Sequence, residues 1–204
     1  MPTENAILPI IKAVALIGSY AFLGFGIKYI DQAYDVKIFN RTIARALAVI
    51  CGILMGLLIA LDETSAMILL AIIVGVAITR KIDNYAFYAG AILAFITPIF
   101  FDGIRIHWMG LAGLIIAGTL DEELNNYADK RKLPKIISTL LYLRLIMKLT
   151  ILAYALAGQI NIIYFFAFIA FDISYILVDQ YTAMILKRKP PFRKKLATIN
   201  TNNL

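Results

Sequence analysis

Long apolar segments separated by short charged ones are the feature that most constrains how this chain can fold. A helix needs about 20 mainly apolar residues to cross a bilayer, with about 17–25 tolerated. Seven segments meet or nearly meet this length: residues 7–30, 43–61, 65–79, 85–101, 108–120, 136–156 and 162–186. The chain is 61% hydrophobic over 204 residues, far more than a soluble domain. The sequence therefore predicts an all-α polytopic membrane protein with about seven transmembrane helices. The third and fifth segments are short, so they must extend into their flanks or lie within protein.

Basic residues predict the orientation of these helices. They collect around Lys28 and Arg41, at 80–81, at 130–135 and after residue 186, whereas the opposite side has little beyond Lys12 and Arg105. By the positive-inside rule the basic side is cytoplasmic, with the N-terminus outside and the C-terminus inside. We therefore expect one helical domain at residues 1–186 and a basic cytoplasmic tail at 187–204, in a prokaryotic plasma membrane.

The net charge of +7 would suggest nucleic-acid binding in a soluble chain. Here the basic residues flank apolar segments, and anionic lipid headgroups explain them better. We expect no nucleic-acid partner.

Acidic side chains gather on the same side. In the predicted topology six carboxylates lie there: Asp31, Asp35, Asp83, Asp121, Asp129 and Asp179. Asp31 and Asp35 are four residues apart, so a continuing helix holds both on one face, about 6 Å apart. Two carboxylates this close repel unless a cation lies between them, and Mg²⁺ takes oxygen ligands and bridges to phosphates. Arg41 follows closely and could bind diphosphate oxygens. A solvated juxtamembrane loop with local ion pairs is the alternative.

A second acidic segment comes before the sixth apolar segment. Asp121, Asn125 and Asp129 are spaced four residues apart and would line one stripe of a helix, with Lys130 beside them. A charged surface loop is again the alternative.

The two acidic segments resemble the aspartate-rich motifs of the UbiA-type intramembrane prenyltransferases. In that family the first motif reads roughly NDxxDxxxD, followed by an arginine, and a DxxxD-type motif lies four helices later on the same side. Asp31 and Asp35 match the last two acids of the first motif, and Asp121 stands where the second begins. The chain departs from the pattern at Ile27 and Lys28, which occupy the leading Asn and Asp positions, at Asn125, which replaces an acid, and in having seven apolar segments rather than nine.

The resemblance implies a Mg²⁺-dependent transferase that acts on an isoprenyl diphosphate or another lipid-like substrate at the cytoplasmic face. The implied catalytic acids are Asp31, Asp35, Asp121 and Asp129, which would also bind the metal together with Asn125. The candidate substrate-binding residues are Arg41, Asn125, Lys130, Arg144 and Asp179.

The last two apolar segments carry charges of their own. Arg144 and Lys148 are four residues apart, and Asp172 and Asp179 are seven apart. The connection between the segments is short, so we expect an antiparallel hairpin. A rise of about 1.5 Å per residue then brings Lys148 to the depth of Asp172 and Arg144 to the depth of Asp179. Two interhelical ion pairs are predicted, either to make burial tolerable or to extend an anionic-substrate or proton site.

Two other functions remain open. One is a small transporter or channel in which Asp172, Asp179 and Arg144 line a proton or cation path. The other is a non-catalytic scaffold that docks partners through the basic tail. Small carriers of this size commonly form homo-oligomers, so self-association is compatible with the first of these.

Overall fold

A computed structural model describes residues 3–78, 84–101, 104–131 and 144–188. Within these ranges every regular element is helical. The elements are α1 (Thr3–Asp35), α2 (Arg41–Leu61), α3 (Glu63–Ile78), α4 (Tyr85–Ile96), a 3₁₀ turn (Thr97–Phe100), α5 (Trp108–Arg131), α6 (Leu145–Leu156) and α7 (Ile163–Arg188). The all-α prediction is confirmed for the described residues, and each predicted apolar segment overlaps a helix there, although the bounds differ. Residues 136–143 of the sixth segment, Asp83 and residues 189–204 of the predicted tail lie outside the described residues.

Three helices are long and apolar enough to cross a membrane: Ile7–Asp35, Arg41–Leu61 and Ile163–Leu186. Their outward surfaces carry exposed aliphatic side chains such as Ile10, Val14 and Leu177. A large exposed apolar surface of this kind is unfavourable in water and suits contact with lipid. In hydrocarbon, a helix satisfies its backbone polar groups internally, which favours this fold for such a sequence.

The short helix α3 lies in the interior of the bundle. All residues from Ser65 to Ala71 are buried, on every side of the helix. This stretch of the 16-residue helix is therefore surrounded by protein, whereas its last residue, Ile78, is exposed. The fifth apolar segment is instead extended by its flank, because α5 continues from Trp108 through the acidic segment to Arg131.

Helices α1 and α7 pack side by side and run parallel. Gly24 contacts Phe171, Lys28 lies over the ring of Tyr175, and Gln32 donates a hydrogen bond to Asp179. The two helices therefore run in the same direction and keep a constant register along this contact. A Cβ on Gly24 would collide with the carbonyl oxygen of Phe171, so only glycine allows the two backbones to approach this closely.

Helices α2 and α4 also approach through small residues. Gly52 faces the backbone of Gly90, and Gly56 faces Thr97. α4 ends at Ile96, and the 3₁₀ turn that follows contains Pro98, which has no backbone N–H to continue an α-helix.

We expect Gly24→Ala to destabilise the protein by about 1–3 kcal/mol, because the added methyl group forces α1 away from α7. The matched control is Gly18→Ala on the same helix, where an added Cβ meets nothing within 4 Å and where alanine is the better helix former by about 1 kcal/mol. Thermal unfolding of the detergent-solubilised protein measures both. Equal melting temperatures for the two variants would contradict the close contact.

Candidate functional site at the basic end

One end of the bundle, the basic end, holds the last turns of α1, α5 and α7 and the first turns of α2, α4 and α6. On its α1–α7 side, Lys28 lies between two carboxylates. Lys28 Nζ is 2.7 Å from Asp31 Oδ2 and 3.0 Å from Asp179 Oδ1. Gln32 Nε2 donates a hydrogen bond of 2.9 Å to the same Asp179 oxygen. Lys28 therefore ties the inward-facing acids of α1 and α7 together.

Tyr175 connects this group to α5 and α6. Lys28 Nζ and Arg144 Cζ each lie 4.9 Å from the centroid of the Tyr175 ring, over its face. This is the distance at which a ring attracts a cation. Arg144 also pairs with Glu122 of α5, with 2.7 Å between the guanidinium nitrogen and the carboxylate oxygen. Charged groups from α1, α5 and α7 and from the start of α6 thus form one connected network.

Asp121 binds the first turn of α6. Its two carboxylate oxygens accept hydrogen bonds from the backbone N–H groups of Ile146 (3.0 Å) and Met147 (2.8 Å). These N–H groups have no partner within their own helix, and a carboxylate beside them also interacts favourably with the helix dipole. Arg144 precedes α6 with a left-handed backbone (φ 48°, ψ 54°) and makes no side-chain cap. The capping carboxylate therefore comes from α5, and Asp121 is only 3% exposed.

Of the two predicted ion pairs, the structure contains one. Lys148 Nζ lies 2.5 Å from Asp172 Oδ2. The prediction of an Arg144–Asp179 pair is wrong, because Arg144 binds Glu122 and Asp179 binds Lys28. Depth along the helices was a sufficient guide for the first pair. The second depends on which way each side chain points around its helix, and on α1, which packs against α7.

The candidate metal ligands are not brought together by the part of the chain that the structure describes. Asp31 is paired with Lys28, Asp35 is an exposed residue at the end of α1, and both oxygens of Asp121 are bound to backbone. Among the described residues no three histidine, cysteine or acidic side chains form a group that could hold a metal ion. Asn125 and Asp129 lie in the last turns of α5, and their side chains, like that of Lys130, are outside the described atoms. Magnesium binding therefore stays a prediction.

On the α2–α4 side of the basic end, two arginines and two tyrosines form an arginine–tyrosine cluster: Arg41, Arg45, Tyr34 and Tyr85. Arg41 Cζ lies 5.5 Å from the Tyr34 ring centroid, and Arg45 Nε donates a hydrogen bond of 2.7 Å to the Tyr85 hydroxyl. The two rings meet edge to face at 5.2 Å. Both arginines are exposed, and neither has a carboxylate partner among the described residues. Sequence reasoning identified only Arg41; the spacing of Arg45 one turn later on the same helix was an available signal.

An apolar cavity of about 90 Å³ lies among α1, α2, α3 and α4. Its wall includes Ile30, Ala48 and Ala86, each about one turn or less along its helix from a member of the arginine–tyrosine cluster. The cluster therefore lies at one end of the cavity. This volume holds a short stretch of hydrocarbon rather than a whole lipid chain.

A smaller cavity of about 20 Å³ adjoins the first on the α5–α6 side. Asp121, Glu122 and Arg144 line it, and it shares the wall residues Ile72 and Val76 of α3 with the apolar cavity. The basic end thus combines an apolar cavity with charged groups on two sides.

Comparisons of this chain with protein-family models, with curated proteins and with solved structures found no match.

Removal of Asp172 alone should destabilise the protein by about 3–5 kcal/mol, because the Lys148 side chain, which is 15% exposed, then loses the carboxylate of this pair. The double variant Lys148→Ala/Asp172→Ala should be more stable than Asp172→Ala, since neither charge remains. Thermal unfolding and the yield of folded protein provide the readout. A double variant no better than Asp172→Ala would contradict the stabilising pair.

If Asp121 serves as the cap of α6, Asp121→Ala should cost about 1–2 kcal/mol of stability. Asp121→Asn should fall between that variant and the wild type, because asparagine keeps one acceptor oxygen and replaces the other with an NH2 group, which cannot accept from the second backbone N–H. Circular dichroism melting curves measure the stabilities of the three proteins and so test this ranking. Identical stability of all three proteins would show that the cap contributes nothing.

Proposed function

We propose that this chain is a seven-span membrane protein that binds an isoprenyl diphosphate, or a similar phosphate-bearing lipid, as a transferase of the prenyl diphosphate type. In this proposal the N-terminus is outside, the basic end is cytoplasmic, and the membrane is the plasma membrane of a prokaryotic cell. The observation that carries it is the position of the arginine–tyrosine cluster at one end of an apolar cavity. A cationic surface beside an apolar cavity is complementary to an anionic head on an apolar tail.

The chemistry of the cluster favours phosphate. A guanidinium group binds phosphate oxygens through two parallel N–H donors, and Arg41 and Arg45 are both free of carboxylate partners among the described residues. Both lie in the first turns of α2, where Asn40 caps the helix by accepting a hydrogen bond of 2.7 Å from the Thr42 N–H. The positive end of the helix dipole adds to the attraction for an anion. The Tyr85 hydroxyl accepts from Arg45 and keeps its own proton to donate.

Group transfer requires the diphosphate to leave and the remaining cation to be kept from water. Mg²⁺, when bound, supplies positive charge that stabilises the departing diphosphate. We assign no metal-binding step to Asp31 or Asp121, because Lys28 and the backbone of α6 already occupy them. The magnesium part of the proposal therefore depends on Asp35, Asn125 and Asp129.

A second candidate is proton or cation movement. The network of charges between α1, α6 and α7 favours it, since Lys28 bridges Asp31 and Asp179, and Lys148 pairs with Asp172, all within or beside apolar helices. Ionisable groups in such positions commonly mark an ion pathway. This candidate, unlike the first, requires a water-filled path that reaches both faces of the membrane.

The lipid-binding proposal is tested with purified protein in detergent and two probes, geranylgeranyl diphosphate and geranylgeraniol. The diphosphate should bind more tightly than the alcohol. Arg41→Gln and Arg45→Gln should each weaken diphosphate binding about tenfold or more, because a hydrogen bond between charged groups is lost, and leave alcohol binding unchanged. The matched control is Arg105→Gln. It removes an exposed arginine that the predicted topology places on the opposite side of the membrane from the basic end.

Tight binding that is indifferent to Arg41→Gln and Arg45→Gln would overturn the assigned head site, and no binding of the diphosphate would overturn the function. Repeating the titration with Mg²⁺ and with EDTA tests the metal. Asp35→Asn and Asp129→Asn should abolish any Mg²⁺-dependent gain in affinity, whereas Asp31→Asn should not.

A further inference from the structure

A groove of about 420 Å³ runs along the contact between α1 and α7. Its walls are formed by Phe25 and Tyr29 of α1, by Phe39 of the connection between α1 and α2, and by Leu177 and Tyr181 of α7. The side chains of Phe25, Leu177 and Tyr181 are exposed. Because α1 and α7 are both long and apolar enough to cross a membrane, the groove is open to lipid when the protein lies in a bilayer.

Stacked aromatic rings give the groove a fixed shape. The rings of Tyr29 and Phe39 stack with 4.4 Å between their centroids, and Phe39 lies parallel to Tyr181 at 6.3 Å. The three rings thus join α1 to α7 and close the groove on the side of the basic end. Aromatic side chains have only two rotatable bonds and lose little entropy when an apolar ligand packs against them. The Ser174 hydroxyl, which also lines the groove, already donates to the Ala170 carbonyl at 2.8 Å.

The groove is separate from the apolar cavity among α1, α2, α3 and α4. Phe25 and Tyr29 line the groove, whereas Ile27 and Ile30 line the cavity. At 3.6 residues per turn, these two pairs lie on roughly opposite faces of α1. An occupant of the groove is therefore distinct from the lipid tail that the cavity would hold.

Lys37 supplies a positive charge beside the closed end of the groove. It comes two residues before Phe39, so the two Cα atoms are within about 7 Å of each other. Its side chain is exposed. The nearest acid along the chain is Asp35, and none of the ion pairs among the described residues includes Lys37. A flexible four-carbon stem lets the ammonium group reach the headgroup layer above an apolar groove.

The backbone of Lys37 gives an independent indication of function. Its φ angle is 58°, in the left-handed region that glycine and asparagine adopt more easily than lysine. A residue held in such a conformation commonly marks a binding site. The turn needs this backbone to bring Phe39 back over Tyr29, but the turn alone does not need a charge.

We propose that the groove binds one acyl chain of an anionic phospholipid, with the lipid phosphate at Lys37. The apolar walls are complementary to the acyl chain. The single charge of Lys37 is complementary to the single negative charge of a phosphodiester, and lysines beside apolar helices attract anionic lipids. The volume of the groove lies within the range of ligand-binding pockets. This site does not depend on diphosphate binding at the arginine–tyrosine cluster.

The test measures quenching of a tryptophan in the groove by brominated lipids. Trp108→Phe first removes the only tryptophan of the sequence. Tyr181→Trp in this background is then reconstituted in phosphatidylcholine vesicles that contain equal fractions of either dibrominated phosphatidylglycerol or dibrominated phosphatidylcholine. The brominated phosphatidylglycerol should bind about fivefold more tightly, the effect of one lysine near an anionic lipid. At the matched reporter Ile116→Trp, an exposed position of α5 outside the groove, the two lipids should quench alike.

Lys37→Asn separates the charge from the backbone conformation. Asparagine accepts the left-handed backbone but carries no charge, so the preference for phosphatidylglycerol at Tyr181→Trp should fall below twofold. Lys37→Arg should keep the preference.

Equal binding of the two lipids at Tyr181→Trp would overturn the anionic headgroup, and a preference that survives Lys37→Asn would overturn the contact with Lys37. Weaker quenching by both lipids than at Ile116→Trp would mean that protein covers the groove, as a second copy of the chain would, and would overturn lipid binding there. Relief of the quenching by geranylgeranyl diphosphate would assign the groove to the tail of that lipid instead. If Tyr181→Trp does not fold, Phe25→Trp on the opposite wall provides the same measurement.

Discussion

A charge placed in an apolar bundle must be matched by an opposite charge or by an aromatic face, and this requirement organises α1, α5, α6 and α7. An isolated charge in hydrocarbon is so unfavourable that the stable packing arrangement is one in which each charged side chain faces a partner. α7 presents Asp172, Tyr175 and Asp179 along one stripe, and three cations from α1 and the start of α6 meet that stripe. Lys148 pairs with Asp172, Arg144 and Lys28 lie over Tyr175, and Lys28 also pairs with Asp179. The rotation of each helix about its axis follows from these contacts.

Close backbone packing makes the short ion pairs feasible. Gly24 lets α1 lie directly against the carbonyl of Phe171, one turn before Lys28 reaches Tyr175. A larger residue there would separate the helices and move Lys28 away from Asp179. The same principle holds where Gly52 faces Gly90, which brings α2 and α4 together and leaves Arg45 and Tyr85 within hydrogen-bonding distance at the basic end. Small residues and charged residues are therefore parts of one packing arrangement.

The acids that resemble a metal-binding motif already have partners within the protein, whereas the nearby arginines have no carboxylate partner among the described residues. Asp31 and Asp121 are held by Lys28 and by the first turn of α6, so their presence is explained by the stability of the bundle. Arg41 and Arg45 lie against the rings of Tyr34 and Tyr85, and neither pairs with a carboxylate among the described residues. Exposed cations without a carboxylate partner are available to an anionic ligand, and for this reason the proposed lipid head lies at α2 rather than between the two acidic segments.

The sequence by itself determined the helical class and the approximate positions of the apolar segments, because apolar length and backbone hydrogen bonding are local properties. The structure decided that α1 continues to Asp35 and α5 to Arg131. The sequence also determined the Lys148–Asp172 pair, since a short connection sets the depth of one helix against the next. Only the tertiary structure decided that Arg144 meets Glu122, that Asp121 caps α6 and that Tyr34 and Tyr85 join Arg41 and Arg45. Those contacts depend on how each helix is rotated and on which helices are neighbours, and distant parts of the chain set both.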